Sequence, residues 1–542
     1  MTLQELFNSS CARYPERTAV AFVHGEAFSY GQMKKEVEKT MNLLARMNVK
    51  RGDRVAILSG NMPNWCIAYF AVTCMGAVAV PVLPDFHPDE VRHIIRHSGS
   101  KAVFVSAKLK EPLEGLQTGQ LTHIAAIEDF SLLRGTLSAE ANVTPATVAE
   151  TDLASIIYTS GTTGRSKGVM LTHRNITFDA EMCLHIQKIV ETDVFLSVLP
   201  LSHTYENTIG FILPIMQGAA VYYLEKPPAA SVLVPALRKI RPTVMLSVPL
   251  IIEKIYRNQV QARFTANKPL AFLYRHVVPF RKAVHYMAGR QLKKTFGGRL
   301  HFFGIGGAKL DATVELFLRE ARFPYAIGYG LTETAPLLAG ANPSQVRHQA
   351  VGPVMRGVQI KIDRPDPETG VGEILARGEN VMKGYYREPE ITRSVFTDGW
   401  FHTGDLGCFD KQGRLYIKGR LKTMILGAGG ENIYPEDIES VINGIRGVAE
   451  SLVLEQKGKL VAMVHLNIEE IEKQYQQILA GAVQYVNDRK DELNKQMAVF
   501  LVELKKYANM HLNRFSQIHS VEIMPTPFEK TPTQKIKRYL YR

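Results

Sequence analysis

Residues 155–175 read Ser-Ile-Ile-Tyr-Thr-Ser-Gly-Thr-Thr-Gly-Arg-Ser-Lys-Gly-Val-Met-Leu-Thr-His-Arg-Asn. A strand-like apolar start gives way to hydroxyls and glycines, and the chain then heads towards a helix. Gly161, Gly164 and Gly168 let backbone amides turn towards an anion. The hydroxyls of Thr159, Ser160, Thr162 and Thr163 can donate to phosphate oxygens, and Lys167 adds a positive charge. The stretch predicts a cradle for a nucleoside triphosphate. A P-loop needs four residues between its first glycine and a Gly-Lys pair, whereas here Gly161 leads to Ser166-Lys167-Gly168, so the spacing excludes it. The bland alternative is a Ser/Thr/Gly surface loop between a strand and a helix. The density of hydroxyls and glycines beside two cations argues against it.

Outward from this loop, the chain is ordinary globular material: 542 residues, 46% apolar, 22% charged. It suffices for one large domain and a small one. The formal charge is +13, with basic residues read as dispersed and without zinc-finger spacing or aromatic-interleaved repeats; a nucleic-acid module is not expected. Small polyanions or an anionic membrane surface fit that charge equally well. Cys11, Cys66, Cys74, Cys183 and Cys408 are odd in number and lack a Cys-x-x-Cys pair, which predicts reduced structural thiols and a cytoplasmic location. The N-terminus has no signal-peptide pattern. Trp65–Leu83, the best membrane candidate, reads instead as a buried helix to Met75 passing through Gly76 into a strand, Ala77 to Val82.

Strand-like runs at 55–58, 78–82 and 102–105 alternate with helical stretches, one of them 88–97, and a second series covers 194–199, 219–223 and 244–247. This alternation predicts layered parallel α/β structure, with a small β unit in the glycine-rich stretch 351–384. Residues 468–513 carry apolar residues at helical spacing and read as two amphipathic helices covering a small C-terminal sheet.

Further motifs follow in order. Leu199-Pro-Leu-Ser-His203-Thr-Tyr-Glu206 precedes an apolar segment, 210–218. Gly304-Ile-Gly306-Gly307-Ala308-Lys309 is a weak dinucleotide fingerprint, since its third glycine is missing. Gly328-Tyr329-Gly330-Leu-Thr332-Glu333-Thr334 combines an aromatic face that suits a purine with a carboxylate that suits a hard cation. Asp398-Gly-Trp400-Phe-His-Thr403-Gly404-Asp405 offers a carboxylate able to accept two hydroxyl protons. Lys418-Gly-Arg420-Leu-Lys422, Gly427-Ala-Gly429-Gly430-Glu431-Asn432-Ile-Tyr434-Pro435-Glu436 and Lys530-Thr-Pro-Thr-Gln534-Lys535 complete the series.

These motifs, in this order over residues 155–538, resemble the acyl-adenylate-forming (AMP-binding) superfamily, most of all its long-chain fatty acid CoA ligases. The resemblance implies an α/β fold: a large N-terminal domain (1–419) of layered α/β subdomains plus a small β unit, then a small mobile α+β C-terminal lid (420–542). It implies ATP, Mg2+ and coenzyme A as cofactors and a medium- or long-chain fatty acid as substrate, activated as acyl-AMP before transfer to CoA. An aryl-CoA ligase, or an enzyme loading a separate acyl carrier protein, is the alternative. By the same resemblance, Thr159 to Gly164 and Lys167 hold phosphates, and Gly306, Gly307 and Ala308 flank the adenine on which Tyr329 stacks, beside Gly330. Thr332 meets the α-phosphate, Glu333 holds magnesium, and Asp405 and Arg420 take the ribose. His203 lines the acyl pocket, with Glu206 as a His-x-x-Glu variant, and the segment 210–218 forms its apolar wall. Lys422 is the hinge, Gly429 and Gly430 meet the pantetheine arm, and Lys535 is the catalytic lysine. The family has glycine where Gln534 stands, which makes Lys530 the runner-up. Weak peripheral contact with the inner membrane face fits this picture; the oligomeric state stays open.

Overall fold

The computed structural model describes residues 1–139, 147–159, 166–261, 268–426, 432–445, 447–456, 458–468, 471, 489–531 and 535–541, with backbone alone for residues 258, 259, 268, 269, 271, 275 and 489–496. Two eight-stranded sheets build the large body. One runs, in spatial order, Leu337–Gly340, Tyr325–Gly330, Phe302–Ile305, Val244–Ser247, Val194–Ser197, Ala220–Tyr223, Thr18–Phe22, Ala27–Ser29. The other runs Gly384–Tyr385, Lys167–Thr172, Leu153–Thr159, Val78–Val82, Arg54–Leu58, Ala102–Val105, His123–Ala126, Leu132–Arg134. The inner strands pair in parallel, as βαβ crossovers require.

The principal core lies between the two sheets, and helix Pro63–Cys74 runs through it, buried at every position but Asn64. That explains its apolar sequence all round. Gly76 then turns at φ +76° before strand Val78–Val82, as the sequence predicts. A second core covers the outer face of the first sheet under helices Val278–Thr295 and Ala312–Glu320, and a third lies under helix Pro88–Ser98. The glycine-rich stretch 351–384 supplies two strands, Gln359–Asp363 and Gly372–Arg377, of a five-stranded antiparallel sheet completed by Phe396–Thr397, Trp400–Phe409 and Leu415–Arg420. Beyond it, strands Val448–Gln456, Lys459–Leu466 and Ser520–Met524 form a small sheet. Helices Pro435–Asn443 and Arg489–His511 share a separate core with it. Of the two helices expected over 468–513, the second is observed; residues 472–488 lie outside the described residues. Among the described residues, no helix is long and apolar enough to cross a membrane.

One expectation needs correction. The phosphate loop does not lead from a strand into a helix: Leu153–Thr159 is followed by a second strand, Lys167–Thr172, antiparallel to it, with Thr159 opposite Lys167. The helix begins only at His173, capped by the Thr172 hydroxyl. The loop therefore closes a hairpin, and the helix that follows it in sequence begins only after the second strand, so its N-terminus is not the one that could face an anion in the loop.

Candidate active site

Strand Tyr325–Gly330 and the turn after it form one wall of the site. At Gly330 an added Cβ would stand 1.8 Å from the Pro336 carbonyl oxygen, so no side chain fits where the strand meets its own return. The turn Thr332–Thr334 is tied down from behind. Asn380, fully buried, donates from Nδ2 to the carbonyl oxygens of Thr334 (3.0 Å) and Leu337 (2.7 Å). The Leu337 amide donates to Asp179 (3.0 Å), and the Met382 amide to the Glu333 carbonyl (2.8 Å). Burial pushes the Asp179 carboxyl well up, against hydrogen bonds from Asn380 and Leu337. Neither Asp179 nor Asn380 was singled out from the sequence. Asp179 carries a usable signal: it is an acid on the helix face that buries Ile176, Ala180 and Cys183.

In front of this turn the side chains converge. Tyr385 donates its hydroxyl to Glu333 Oε1 (2.9 Å), and Lys167 Nζ lies 5.4 Å from the centre of the Tyr385 ring. Tyr385 reaches this place because Gly384–Tyr385 pairs antiparallel with the edge of the phosphate hairpin, opposite Met170 and Val169. Thr332 lies within 3.4 Å of the Thr204 hydroxyl. Tyr329 donates to Asp405 Oδ2 (2.8 Å), while Arg420 Nε sits 2.8 Å from Asp405 Oδ1. Burial raises the Asp405 pKa, opposed by Arg420, Tyr329 and the charge of Lys535. Gly306 follows strand Phe302–Ile305 and faces the Tyr205 ring, and Gly307 takes φ +87°, which a side chain there would strain.

Lys535, though far away in sequence and exposed as a residue, feels the charges of this cluster. Its pKa is lowered by desolvation and then by Arg420, against the attraction of Asp405 and Glu333. Lys535 in turn acts on His203, whose pKa falls to about 4, mainly through burial, so the imidazole is neutral at pH 7. The alternative Lys530 is engaged elsewhere, in an ion pair with Glu450. The carboxy-terminal unit also touches the body through Lys309 and Asp437, and through Arg257 donating to the Asn443 carbonyl (2.6 Å). Lys422 lies in the turn after strand Leu415–Arg420. Ser160, Gly161, Thr162, Thr163, Gly164, Gly429, Gly430 and Gln534 lie outside the described residues, although Ile425 and Leu426 pair with Ile433 and Asn432 to frame the second glycine loop as a hairpin.

An apolar cavity of about 50 Å³ lies behind Tyr205, smaller than the usual small-molecule site. Gly304, Gly328, Val244, Phe302, Ile186 and Gln187 are among the residues that line it. The glycines matter because space is tight: a Cβ on Gly304 would stand 2.9 Å from the Tyr205 oxygen, and one on Gly340 3.3 Å from Ile186 Cδ1. The apolar wall expected over 210–218 is mostly elsewhere. Leu213 reaches the cavity, but Phe211 packs edge-on against Trp65 and Phe70 in the central core. The segment Tyr205–Ile212 is π-helical, and its wider turn sends Glu206 away from the cavity and over Gly210, 2.6 Å from where a Cβ would be. Neither His203 nor Glu206 lines this cavity.

Among the described residues, no group of three or more His, Cys, Asp or Glu could hold a metal by itself. Glu333, held by Tyr385 beside Lys167, suits a cation that arrives already bound to phosphate oxygens.

The AMP-binding enzyme family matches residues 7–386. The long-chain-fatty-acid–CoA ligase FadD15 of Mycobacterium tuberculosis is 30% identical over 91% of this chain and 87% of its own length. The feruloyl-CoA synthase of an Amycolatopsis species is 29% identical over 81% and 82%. In fold, ATP-bound MatB from Rhodopseudomonas palustris superposes with a TM-score of 0.77, at 24% identity over 100% of this chain and 98% of that one. The o-succinylbenzoate coenzyme A synthetase of Bacillus subtilis, in complex with ATP and magnesium ion, reaches 0.77 at 22% identity, over 98% of each chain. The chain belongs to the AMP-binding enzyme family and, within it, to the AMP-forming acid–CoA ligases.

Proposed function

We propose that this protein is a fatty acid–CoA ligase that activates a medium- or long-chain acid as its acyl adenylate. The observation that carries this reading is the cavity: almost wholly apolar, it begins at Tyr205 and Gly304, beside the strand ends that carry Tyr329 and Thr332. A hydrocarbon tail that parted these walls on entering would leave its carboxylate among Thr332, His203 and Lys535. A carboxylate oxygen attacks the α-phosphorus of ATP, the acyl–O–P bond forms, and the α–β anhydride breaks to release pyrophosphate. The thiolate of CoA then attacks the acyl carbonyl, and AMP leaves with the bonding pair.

The chain's task is positioning and charge neutralisation. Thr332 and Lys535 meet the α-phosphate; Thr159 to Gly164 and Lys167 hold the phosphates that leave. Glu333 is the ligand for magnesium, which when bound neutralises phosphate charge. Asp405 and Arg420 hold the ribose, and Gly306 to Ala308 with Tyr329 and Gly330 hold the adenine. The neutral His203 closes the pocket mouth without opposing a carboxylate. The domains divide at residue 420, and rotation about Lys422 withdraws Lys535 and brings the loop containing Gly429 and Gly430 to the thiol.

Lys535→Ala tests the assignment: carboxylate-dependent pyrophosphate exchange should fall by roughly 10²–10³, as on removal of one transition-state donor, and unchanged exchange refutes it. The substrate is read from CoA thioester formation with acetate, octanoate, palmitate and a cinnamate. Palmitate or octanoate should lead; strict preference for the cinnamate replaces the reading with an aryl-CoA ligase, and turnover only with an acyl carrier protein replaces CoA as acceptor.

A further inference from the structure

The positive charge, read from the sequence as dispersed, is not. Residues 254–310 contain twelve Lys and Arg and no Asp or Glu, in a chain whose net charge is +13. Much of this segment is the pair of helices Lys268–His276 and Val278–Thr295 on the outer face of the first sheet. The second helix buries Val284, His285, Gly289 and Leu292. Its other side, at spacings of three and four, exposes Lys282, Tyr286, Met287, Arg290 and Lys294. Large apolar side chains stand in water among these cations: Met287 is 62% exposed and, in the middle of the first helix, Phe272 61%. Arg322 extends the basic surface, its guanidinium 5.7 Å from the Tyr286 ring. The nearby carboxylate of Glu320 does not cancel it, being 8% exposed and paired inward with Arg281 at 2.9 Å.

We infer that this face docks on an anionic lipid bilayer. Cations interleaved with protruding aliphatic and aromatic side chains are what an interfacial surface needs: the charges meet headgroups while Phe272, Met287 and Tyr286 enter the acyl boundary. A nucleic acid would use the charge alone and leave the apolar side chains in water. The position fits as well. The chain runs from helix Val278–Thr295 to the start of strand Phe302–Ile305, and Phe302 lines the cavity. Gln187, which also lines it, lies 3.4 Å from His301, the residue before that strand. Docking thus holds the cavity near the membrane, a placement whose use rests on the fatty-acid reading.

The test is flotation of the full chain, without substrate, on vesicles of phosphatidylcholine alone or mixed with phosphatidylglycerol. Because no acid or nucleotide is present, its outcome is independent of the ligase reading. The protein should float with the anionic vesicles only, and release at roughly 0.5 M salt, where screening is short-ranged. Lys282→Glu/Arg290→Glu/Lys294→Glu should weaken binding at least tenfold, and Phe272→Ser/Met287→Ser severalfold at fixed salt. All five side chains are exposed, so unchanged thermal unfolding serves as the folding control. Failure to float, or equal flotation of the triple variant, overturns the inference. So does duplex DNA binding that matches vesicle binding and ignores the Phe272→Ser/Met287→Ser change.

Discussion

Replacing Glu206 by Gln should stabilise the protein at alkaline pH and leave it nearly unchanged in mild acid. Glu206 is 1% exposed, and its Oε2 has no hydrogen-bond partner among the described residues. Burial raises its pKa from an ordinary 4.5 to about 8, opposed by a hydrogen bond from Ser197. Cys66, Tyr205 and Tyr223 feel its charge, and burial pushes each of them up too, so no cation in this set compensates an ionised Glu206. The sign follows from proton binding. Between pH 4.5 and about 8 the folded protein keeps a proton that the unfolded chain releases, so the stabilisation is whole below 4.5 and is lost as pH rises through about 8. The full span corresponds to on the order of 4–5 kcal/mol. Gln keeps the shape and never ionises; losing the carboxyl donor costs about 1 kcal/mol. Thermal unfolding followed by circular dichroism at pH 5 and pH 9 should therefore show Glu206→Gln melting with or slightly below the parent at pH 5 and several degrees above it at pH 9. Parallel melting curves at both pH values, or a less stable variant at pH 9, would refute the reasoning.

Three further outcomes are expected. Asn380→Asp, though isosteric, should be at least as damaging as Asn380→Ala, because it turns a donor shared by two carbonyl oxygens into another acceptor beside Asp179; each should cost about 2–4 kcal/mol in urea unfolding and depress pyrophosphate exchange through the Thr332–Thr334 turn. Gly340→Val, in a strand where a β-branched residue is at ease, should fill the cavity against Ile186. It should lower kcat/KM for palmitate about tenfold, while octanoate is spared; equal loss for both acids would count against the cavity as tail site. Lys422→Pro, which fixes φ, should spare adenylation and cripple thioester formation when the half-reactions are measured separately, and equal loss in both would remove the hinge.

The parallel layers were legible because buried strands such as Val78–Val82 and the helix Pro63–Cys74 are continuous apolar runs with clear punctuation. The hairpin under the phosphate loop was not. Strand Lys167–Thr172 runs straight into a helix cap at Thr172, and part of its pairing comes from Gly384–Tyr385, a partner far along the chain that no local pattern reveals. The convergence of Tyr329, Asp405, Arg420 and Lys535 likewise depends on sheet register and on the docking of a separate unit. Their identities could be read from motif order; that they meet could not. The cavity was misplaced for a simpler reason: residues 210–218 are apolar whether they face a ligand or the core, and the π-helical turn at Tyr205–Ile212 decides which. The basic face was available to inspection all along, since counting signs along 254–310 needs no coordinates; a whole-chain charge hides it.

The register of strands Trp400–Phe409 and Leu415–Arg420 places Arg420 directly opposite Asp405. Both partners of this ion pair therefore belong to one sheet of the large body, and the chain turns away only after Arg420. On the proposed rotation about Lys422, Lys535 would be carried off while that pair stayed in its ladder. An activated acid bound through its ribose would thus keep its seat while the machinery that made it departs, and a reactive mixed anhydride would wait for its thiol without a moment of release into water.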